Sequence, residues 1–227
     1  MNIGTEMKIV SVILARGGSK EIPKKNIKLL CGKPLIQYSI EASKRSLSSE
    51  TWVSTDCKEI KKISLELGAK VLDRPESLSG DRSKSDDALI HFVQNVSCDV
   101  VIMIQPTSPF ISEFYINKGI YMMRNHDSIF SGYVKHWVPE WVVESGGLKP
   151  YGWDPKKRPM RQEVQSTIVE NGAFYMTTCY NLIKSEIRNS GTVGFVEMTE
   201  EESLQIDSAN DFAFAERIIN LKNMEKQ

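Results

Sequence analysis

The chain has 227 residues, which fits one ordinary α/β domain with room for an insertion but not two full domains. Lysine plus arginine and aspartate plus glutamate balance at 29 each, so no overall basic field is present to hold nucleic acid or an anionic membrane. No apolar run approaches the roughly 20 residues that cross a bilayer, and the opening MNIGTEMKIVSVIL lacks the basic segment of a signal peptide. We therefore expect a cytoplasmic protein with no nucleic-acid or membrane partner.

The first half of the chain alternates predicted strands with predicted helices. Strands are predicted at 8–14, 51–55, 69–72 and 99–104, and helices at 34–45, 57–67 and 86–96. This alternation implies right-handed crossovers and a mainly parallel central sheet flanked by helices. Ligands of such sheets bind at the carboxyl ends of the strands, where the segments ARGGSK, STD and QPTSP fall.

The segment 136–170 differs from the rest in composition. It contains Trp137, Trp141 and Trp153, four prolines and a Gly-Gly pair, with poor periodicity. Linkers are seldom so aromatic, so we expect an inserted flap or an oligomer contact within a single domain spanning 1–227. Strands are predicted at 171–178 and 193–198. The segment IDSANDFAFAERIINL then predicts a terminal helix with Ser208 as its N-cap.

The four cysteines, Cys31, Cys57, Cys98 and Cys179, are widely separated. They form no CxxC pair, and no histidine lies at ligand spacing from them. The pattern argues against a zinc site and a disulfide framework, and it favours reduced thiols with structural roles.

The stretch ARGGSKEIPKKN at 15–26 directly follows the first predicted strand. Gly17 and Gly18 lack a Cβ and tolerate positive φ, so we expect the backbone to wrap closely around an anion. The cations of this stretch are Arg16, Lys20, Lys24 and Lys25. This arrangement favours a triphosphate, although an ordinary solvated loop is the alternative. The spacing fits neither a Walker A loop nor a dinucleotide fingerprint.

ARGGSKEIPKKNIKLLCGKPLIQYSI resembles the amino-terminal motif of the acylneuraminate cytidylyltransferases, the family that makes CMP-sialic acid and related CMP-nonulosonates. Four further segments match in order: STD at 54–56, RPESLSGD at 74–81, QPTSP at 105–109, and RQ…ENGAFY at 161–175. The similarity covers roughly 8–220. It implies a Rossmann-like fold of the nucleotide-diphospho-sugar transferase type, CTP as co-substrate, an acidic sugar as acceptor, and a homodimer.

The resemblance also implies roles for individual residues on the nucleotide side. The phosphate loop would use Ala15, Arg16, Gly17, Ser19, Lys25 and Asn26. Arg16 and Lys25 would hold phosphates and take part in catalysis, while Asn26 would help to fix the nucleotide. The segment that surrounds the pyrimidine and selects cytosine would contribute Arg74, Ser83 and Ser85.

On the acceptor side, the resemblance implies sugar contacts from Gln105, Thr107, Ser108, Arg161, Gln162 and Asn171. A planar guanidinium such as that of Arg161 suits a carboxylate through paired hydrogen bonds, with a surface ion pair as its alternative. Gln105 is neutral and can donate to a hydroxyl without repelling a triphosphate, or it can cap the end of a strand. Arg161 and Gln162 would reach the sugar from the other subunit of a dimer.

Asp207 is the candidate ligand for Mg²⁺, which would offset charge on the phosphates. The chain departs here from the DID form of the family motif, because Gln205 replaces its first aspartate and leaves one matched carboxylate. Asp211 is the other possible acid, although a first-turn helix role is the favoured interpretation. Glu21 replaces a glycine common in the family, and we expect it to point outward. Val169 replaces an arginine of some sialic acid enzymes, so the sugar could be a relative such as legionaminate.

These observations lead to the hypothesis of a cytidylyltransferase, a nucleotidyltransferase that joins CMP from CTP to the anomeric hydroxyl of an acidic 3-deoxy-2-keto sugar. Pyrophosphate is released, and no covalent enzyme intermediate or general base is assigned. The runner-up is CMP activation of a 3-deoxyoctulosonate. A nucleotide-binding protein without turnover is the alternative from another class, motivated by Gln205.

Overall fold

The computed structural model describes residues 7–224. Residues 1–6 and 225–227 lie outside the description, so it does not cover the start of the opening segment or the two ends of the expected single domain. The strands are β1 (Ile9–Leu14), β2 (Leu29–Leu30), β3 (Lys33–Pro34), β4 (Glu50–Thr55), β5 (Lys70–Asp73), β6 (Val100–Ile104), β7 (Ser128–Lys135), β8 (Glu140–Glu144), β9 (Gly147–Tyr151), β10 (Thr167–Thr178) and β11 (Val193–Glu197). The α-helices are α1 (Leu35–Arg45), α2 (Lys58–Glu66), α3 (Ser85–Asn95), α4 (Glu113–Met122), α5 (Cys179–Ser185) and α6 (Ala209–Met224). Within 7–224, none of the helices has the length and apolar character needed to span a membrane.

Seven strands form one sheet in the order β11-β7-β10-β6-β1-β4-β5. β1 pairs in parallel with β6 on one side and with β4 on the other, where Ile13 lies opposite Ile104 and Val53. β10 runs antiparallel to its two neighbours, β6 and β7, and the remaining pairings are parallel. The predicted mainly parallel sheet is confirmed, and the carboxyl ends of β1, β4, β5 and β6 meet at one edge.

The central strands are buried on both faces because helices cover both sides of the sheet. Val10 and Val12 of β1 pack on one side with Phe92 of α3. Ile13 packs on the other side with Ile36 of α1. Each fully buried side chain of this kind contributes about 1.5–3 kcal/mol, so β1 is firmly held and the loop after it starts from a fixed point.

Seven strands and helices were missing from the sequence prediction: β2, β3, α4, β7, β8, β9 and α5. Gly119 lies inside α4 and lowers the helical propensity of that stretch. A Cβ at Gly119 would lie 2.6 Å from the terminal methyl carbon of Met176, so the glycine allows α4 to pack against β10. Pro34 also differs from its predicted place, because α1 begins one residue later and Pro34 is its N-cap.

The segment 136–170 contains a separate two-stranded antiparallel sheet formed by β8 and β9. The indole of Trp153 contacts those of Trp137 and Trp141 edge-on, with centroid distances of 6.3 and 5.3 Å. Large apolar side chains of this segment remain exposed, namely Val138, Trp141, Val143, Leu148, Tyr151, Met160 and Ile168. We call these residues the exposed apolar surface of the insertion.

Candidate active site

A cleft of ≈ 510 Å³ opens at the carboxyl edge of the parallel strands. Ten of the predicted site residues line it: Arg16, Ser19, Lys25, Asn26, Arg74, Ser83, Ser85, Gln105, Thr107 and Asp207. They come from four separate parts of the sequence, which the strand order brings to the same place. Seven of the nine predicted nucleotide residues therefore share one cleft with part of the predicted sugar residues, whereas Ala15 and Gly17 do not line it.

Hydrogen bonds to neighbouring strands and loops hold the stretch after β1. The backbone N–H of Ala15 donates to the carbonyl of Ser54 at 3.0 Å, and that of Gly17 donates to the carboxylate of Asp56 at 2.9 Å. The side chain of Asn26, 6% exposed, donates to the carbonyl of Arg16 at 3.0 Å. Asn26 thus shapes the loop in addition to lining the cleft.

The role expected of the two glycines is corrected by the backbone. Neither Gly17 nor Gly18 is among the described residues with positive φ, and the loop instead turns through Lys24, with φ 53°. Gly17 is required for close approach, because a Cβ there would lie 2.9 Å from the Cβ of Cys57. At Gly18 an added Cβ would meet no atom within 4 Å.

Three of the four predicted phosphate-loop cations line the cleft: Arg16, Lys20 and Lys25. The ammonium of Lys25 donates to the carbonyl of Ile206 at 2.8 Å and to the carboxylate of Asp207 at 3.0 Å. Its side chain is 16% exposed, so the charge is held in place. Lys24 instead pairs with Glu59 at 2.7 Å and does not line the cleft, so including it among the phosphate-binding cations was wrong.

Carboxylates already neutralise part of this positive charge. The carboxylate of Asp81 lies 3.3 Å from the guanidinium of Arg16 and 2.5 Å from the ammonium of Lys20, and the hydrogen bond from Lys20 lowers the pKa of Asp81. Arg16 also donates to the carbonyl of Gly80 at 2.9 Å. Glu21, expected to point outward, lines the cleft as well. An incoming polyphosphate would displace Asp81 from these cations.

Arg74 is a buried cation with unused donors. It is 8% exposed, and its Nε and Nη2 have no hydrogen-bond partner among the described residues. Burial lowers the pKa of its guanidinium, which nevertheless stays charged at neutral pH. Unpaired buried donors are costly, and because these two atoms have almost no exposed surface, a ligand oxygen could accept from them only after the Arg74 side chain moves.

The serines predicted to surround the pyrimidine lie on the same wall. The Ser83 hydroxyl donates to the carbonyl of Ser77 at 3.1 Å, which fixes the loop that follows Arg74. Ser85 is the first residue of α3. Lys84, which the sequence analysis did not single out, also lines the cleft. The sequence pattern that could have indicated Asp81 and Lys84 is the cluster of charged side chains at 81, 82 and 84.

Gln205 joins three segments beside the cleft through its amide. Thr107 donates to the Gln205 Oε1 at 2.7 Å, and the Gln205 Nε2 donates to the Ser108 hydroxyl and to the Asn171 carbonyl. Ser108 is fully buried and Asn171 is 5% exposed. The amide of Asn171 bonds inward to the hydroxyls of Ser131 and Ser203. The structure therefore places Ser108 and Asn171 behind the cleft wall, where they hold Thr107 in position.

Arg161 and Gln162 are not brought to the cleft of this chain. They form a short 3₁₀ turn, Arg161–Glu163, whose side chains are exposed, and neither lines the cleft. The sugar contacts expected from these two residues are therefore not formed within a single copy of the described chain.

Asp207 is the one aspartate of its motif available to a cation. Its side chain is 75% exposed and lines the cleft. Asp211 instead accepts from the backbone N–H and hydroxyl of Ser208 at 2.7 and 2.8 Å, which lowers its pKa, and it lies in the first turn of α6, as the favoured interpretation predicted. No group of three or more potential metal ligands occurs between residues 7 and 224. This donor set fits Mg²⁺ held by one carboxylate together with phosphate oxygens, the usual mode for that ion.

The mainly parallel sheet and the cation-lined cleft define an α/β protein with a candidate anion-binding site at the carboxyl edge of the sheet. A family model described as cytidylyltransferase matches residues 10–187, and the chain belongs to the cytidylyltransferase family. The resemblance found in the sequence is thereby confirmed.

Two relatives are similar over most of this chain, and one solved structure shares its fold. N-acylneuraminate cytidylyltransferase A of Danio rerio is 38% identical over 216 residues, 92% of this chain and 50% of the relative. CMP-N,N'-diacetyllegionaminic acid synthase of Legionella pneumophila is 32% identical over 234 residues, 95% of this chain and 97% of the relative. A CMP:2-keto-3-deoxy-manno-octonic acid synthetase complexed with CTP shares the fold, with a TM-score of 0.71 at 19% identity over 95% of this chain and 99% of that one. The chain spans about half the length of the first of these relatives.

Proposed function

We propose that the protein transfers CMP from CTP to the anomeric hydroxyl of an acidic 3-deoxy-2-keto sugar, an N-acylneuraminate or a related nonulosonate such as legionaminate, and releases pyrophosphate. The observation that carries the proposal is the convergence of Arg16, Lys25 and Arg74 on one cleft. The relatives named N-acylneuraminate cytidylyltransferase and CMP-N,N'-diacetyllegionaminic acid synthase support this substrate class. A cytoplasmic location, expected from the sequence, stays a prediction.

The nucleotide would lie along the cleft with its triphosphate at the loop after β1. Arg16, Lys20 and Lys25 would bind the phosphates, and Lys25 would remain fixed through its bond to the Ile206 carbonyl. Arg74 would place its positive charge beside the cytosine carbonyl or the adjacent phosphate. Ser83 and Ser85 would close the wall around the base.

The chemical step needs little from the protein beyond position and charge. The sugar hydroxyl attacks the α-phosphorus in line with the departing pyrophosphate, and negative charge accumulates on the phosphate oxygens. Lys25 and Arg16 would stabilise that charge. Asp207 would hold a Mg²⁺ ion, which when bound would offset charge on the polyphosphate. We assign no general base.

The sugar would enter beside Gln105 and Thr107, the two predicted acceptor residues that line the cleft. Arg161 would have to come from a second subunit, because it is exposed and distant from the cleft lining of its own chain. The exposed apolar surface of the insertion supports this idea, since large apolar patches mark protein contacts. We therefore infer a homodimer in which the insertion of one subunit covers the cleft of the other.

The test is a panel of acidic sugars assayed with CTP and Mg²⁺ for pyrophosphate release and for the CMP-sugar product. N-acetylneuraminate, N,N'-diacetyllegionaminate and a 3-deoxyoctulosonate would be compared at equal concentration. Turnover of either nine-carbon sugar supports the proposal, whereas turnover of the eight-carbon sugar alone selects the runner-up. Tight CTP binding without pyrophosphate release for any sugar would identify a protein that binds nucleotide without turnover.

A further inference from the structure

Two cysteines meet at the end of the sheet opposite the cleft. Cys98 precedes β6, whose carboxyl end leads into Gln105, so Cys98 lies at the far end of that strand. Cys179 directly follows β10, which runs antiparallel to β6 and therefore ends at the same place. The two sulfurs are 3.2 Å apart although 81 positions separate the residues. The sequence pattern alone gave no sign of this pair.

The backbone around the two thiols is held by the sheet. Thr178 pairs with Val100 in the ladder between β10 and β6. The N–H of Cys179 donates to the carbonyl of Asp99 at 2.9 Å, and the Asp99 carboxylate accepts from the N–H of Lys8 at 2.7 Å. The sulfurs must approach by only about 1 Å to reach the length of a disulfide bond, roughly 2.05 Å. Side-chain rotation can supply that movement while the strands stay paired.

We propose that Cys98 and Cys179 form a redox-active dithiol that a low-molecular-weight disulfide such as glutathione disulfide converts to an intramolecular disulfide. The Cys98 thiolate attacks one sulfur of glutathione disulfide, giving a mixed disulfide and one glutathione thiolate. The Cys179 thiol then loses its proton and attacks the Cys98 sulfur, and the second glutathione leaves as a thiolate that takes up a proton. Two cysteine thiols are oxidised and one glutathione disulfide is reduced to two thiols.

The surroundings of the pair favour this order of events. A hydrogen bond from the Cys179 thiol and the charge of Lys8 lower the pKa of the Cys98 thiol. The same hydrogen bond and burial raise the pKa of the Cys179 thiol. Both side chains are partly exposed, so a small disulfide can reach them. Cys98 is therefore the attacking sulfur and Cys179 the resolving one.

The disulfide would bridge two positions far apart in the chain and would restrict the unfolded state. We expect the melting temperature of the oxidised protein to rise by roughly 5–10 °C. We expect kcat for CMP transfer to stay within about twofold, because the pair lies at the opposite end of β6 from the cleft. The prediction does not depend on the proposed sugar specificity.

The experiment exposes the purified full chain to glutathione buffers of increasing disulfide content, followed by mass spectrometry, free-thiol counting and thermal melting. The proposal requires the loss of two hydrogens, two titratable thiols fewer, and a peptide that links Cys98 to Cys179. The matched control is the Cys31→Ser, Cys57→Ser variant, which must still form the bridge. Cys179→Ser must instead retain glutathione on Cys98.

Several outcomes would overturn the proposal. They are a fully reduced pair in the most oxidising buffer, a disulfide that maps to other cysteines, or stable glutathione adducts on the unaltered chain. Peptide mapping of the unaltered protein decides the question even where a serine variant fails to fold. An oxidised protein that melts at the same temperature as the reduced one would remove the stabilising role.

Discussion

The cleft and the insertion differ in how far a single copy of the chain builds its part of the candidate site. In the cleft, Lys25 is 16% exposed and bonded to a backbone carbonyl before any ligand arrives. In the insertion, Val143 is 84% exposed and Leu148 is 65% exposed, and the Arg161 side chain lies free of the cleft. The fold thus preorganises the proposed nucleotide half of the site, whereas the proposed sugar half would need a second surface.

The difference has a simple origin in the sheet. Arg16 and Gln105 follow strands that are buried on both faces, so their backbones are fixed by the core. Arg161 follows a two-stranded hairpin that has no place in the seven-stranded sheet. An isolated hairpin is at best marginally stable, so its orientation depends on what packs against it. Substitutions made in one region at a time test this difference between the two regions.

The largest expected effect comes from Lys25→Ala. We expect kcat/KM for CTP to fall by about 10²–10³, because a charge aimed at the phosphates is lost from a partly dry site. Steady-state pyrophosphate release at saturating sugar measures it. Lys24→Ala is the matched control, since that neighbouring lysine pairs with Glu59 outside the cleft, and it should stay within about twofold. Equal losses in the two variants would contradict the assignment of Lys25.

Arg74→Ala should lower kcat/KM for CTP by about 10²-fold, because the nucleotide loses a buried positive charge that lines the cleft. The preference for CTP over UTP should also shrink, and competition between the two nucleotides measures it. The melting temperature should hold or rise, since the substitution removes a buried cation without bonds on Nε and Nη2. A large drop in melting temperature with unchanged CTP kinetics would show that Arg74 serves the fold.

Arg161→Ala should raise KM for the acidic sugar by about 10-fold while KM for CTP stays constant. The reason is the loss of paired hydrogen bonds to the carboxylate. Mixing this variant with Lys25→Ala should restore activity if the two residues act in one site across two subunits, because one cleft of the hybrid would be intact. Sedimentation that shows monomer alone at assay concentration would remove the two-subunit site.

The sequence could predict the residues that line the cleft better than the residues that support them, and individual residues show why. Arg16, Lys25 and Asp207 belong to short motifs at strand ends, and the mainly parallel sheet gathers strand ends at one edge. The roles of Ser108 and Asn171 could not be predicted, because both accept hydrogen bonds from Gln205, which is far from them in sequence. Asn171 also lies at a register shift in β10 that no local pattern reveals. Lys24 was misassigned since its partner Glu59 lies on α2, whose distance from the loop no local pattern reveals. α4 was missed because Gly119 lowers the helical propensity of this segment, whose helix is stabilised by tertiary packing.

Asp81→Asn tests the cleft through a gain of affinity instead of a loss, because we expect this variant to bind CTP more tightly. The Asp81 carboxylate contacts Arg16 and Lys20, the cations that we propose bind phosphate, and it would compete with a polyphosphate for them. An exposed pair of this kind is weak and screened by salt, so KM for CTP should fall by only about 2–5-fold, and by less at high salt. Asp73→Asn is the matched control, since that exposed aspartate pairs with Lys61 outside the cleft.

The pH dependence of this effect follows from the Lys20 contact. Lys20 lowers the pKa of Asp81 from its ordinary value of 3.8, so the carboxylate is ionised well below neutral pH. The gain in CTP affinity for Asp81→Asn should therefore be constant between about pH 6 and pH 8, and it should disappear only when acid protonates the unaltered Asp81. Isothermal titration with CTP across this range measures it. A weaker affinity in the variant would mean that Asp81 holds Arg16 in its binding position. The preorganisation of the cleft would then depend in part on Asp81.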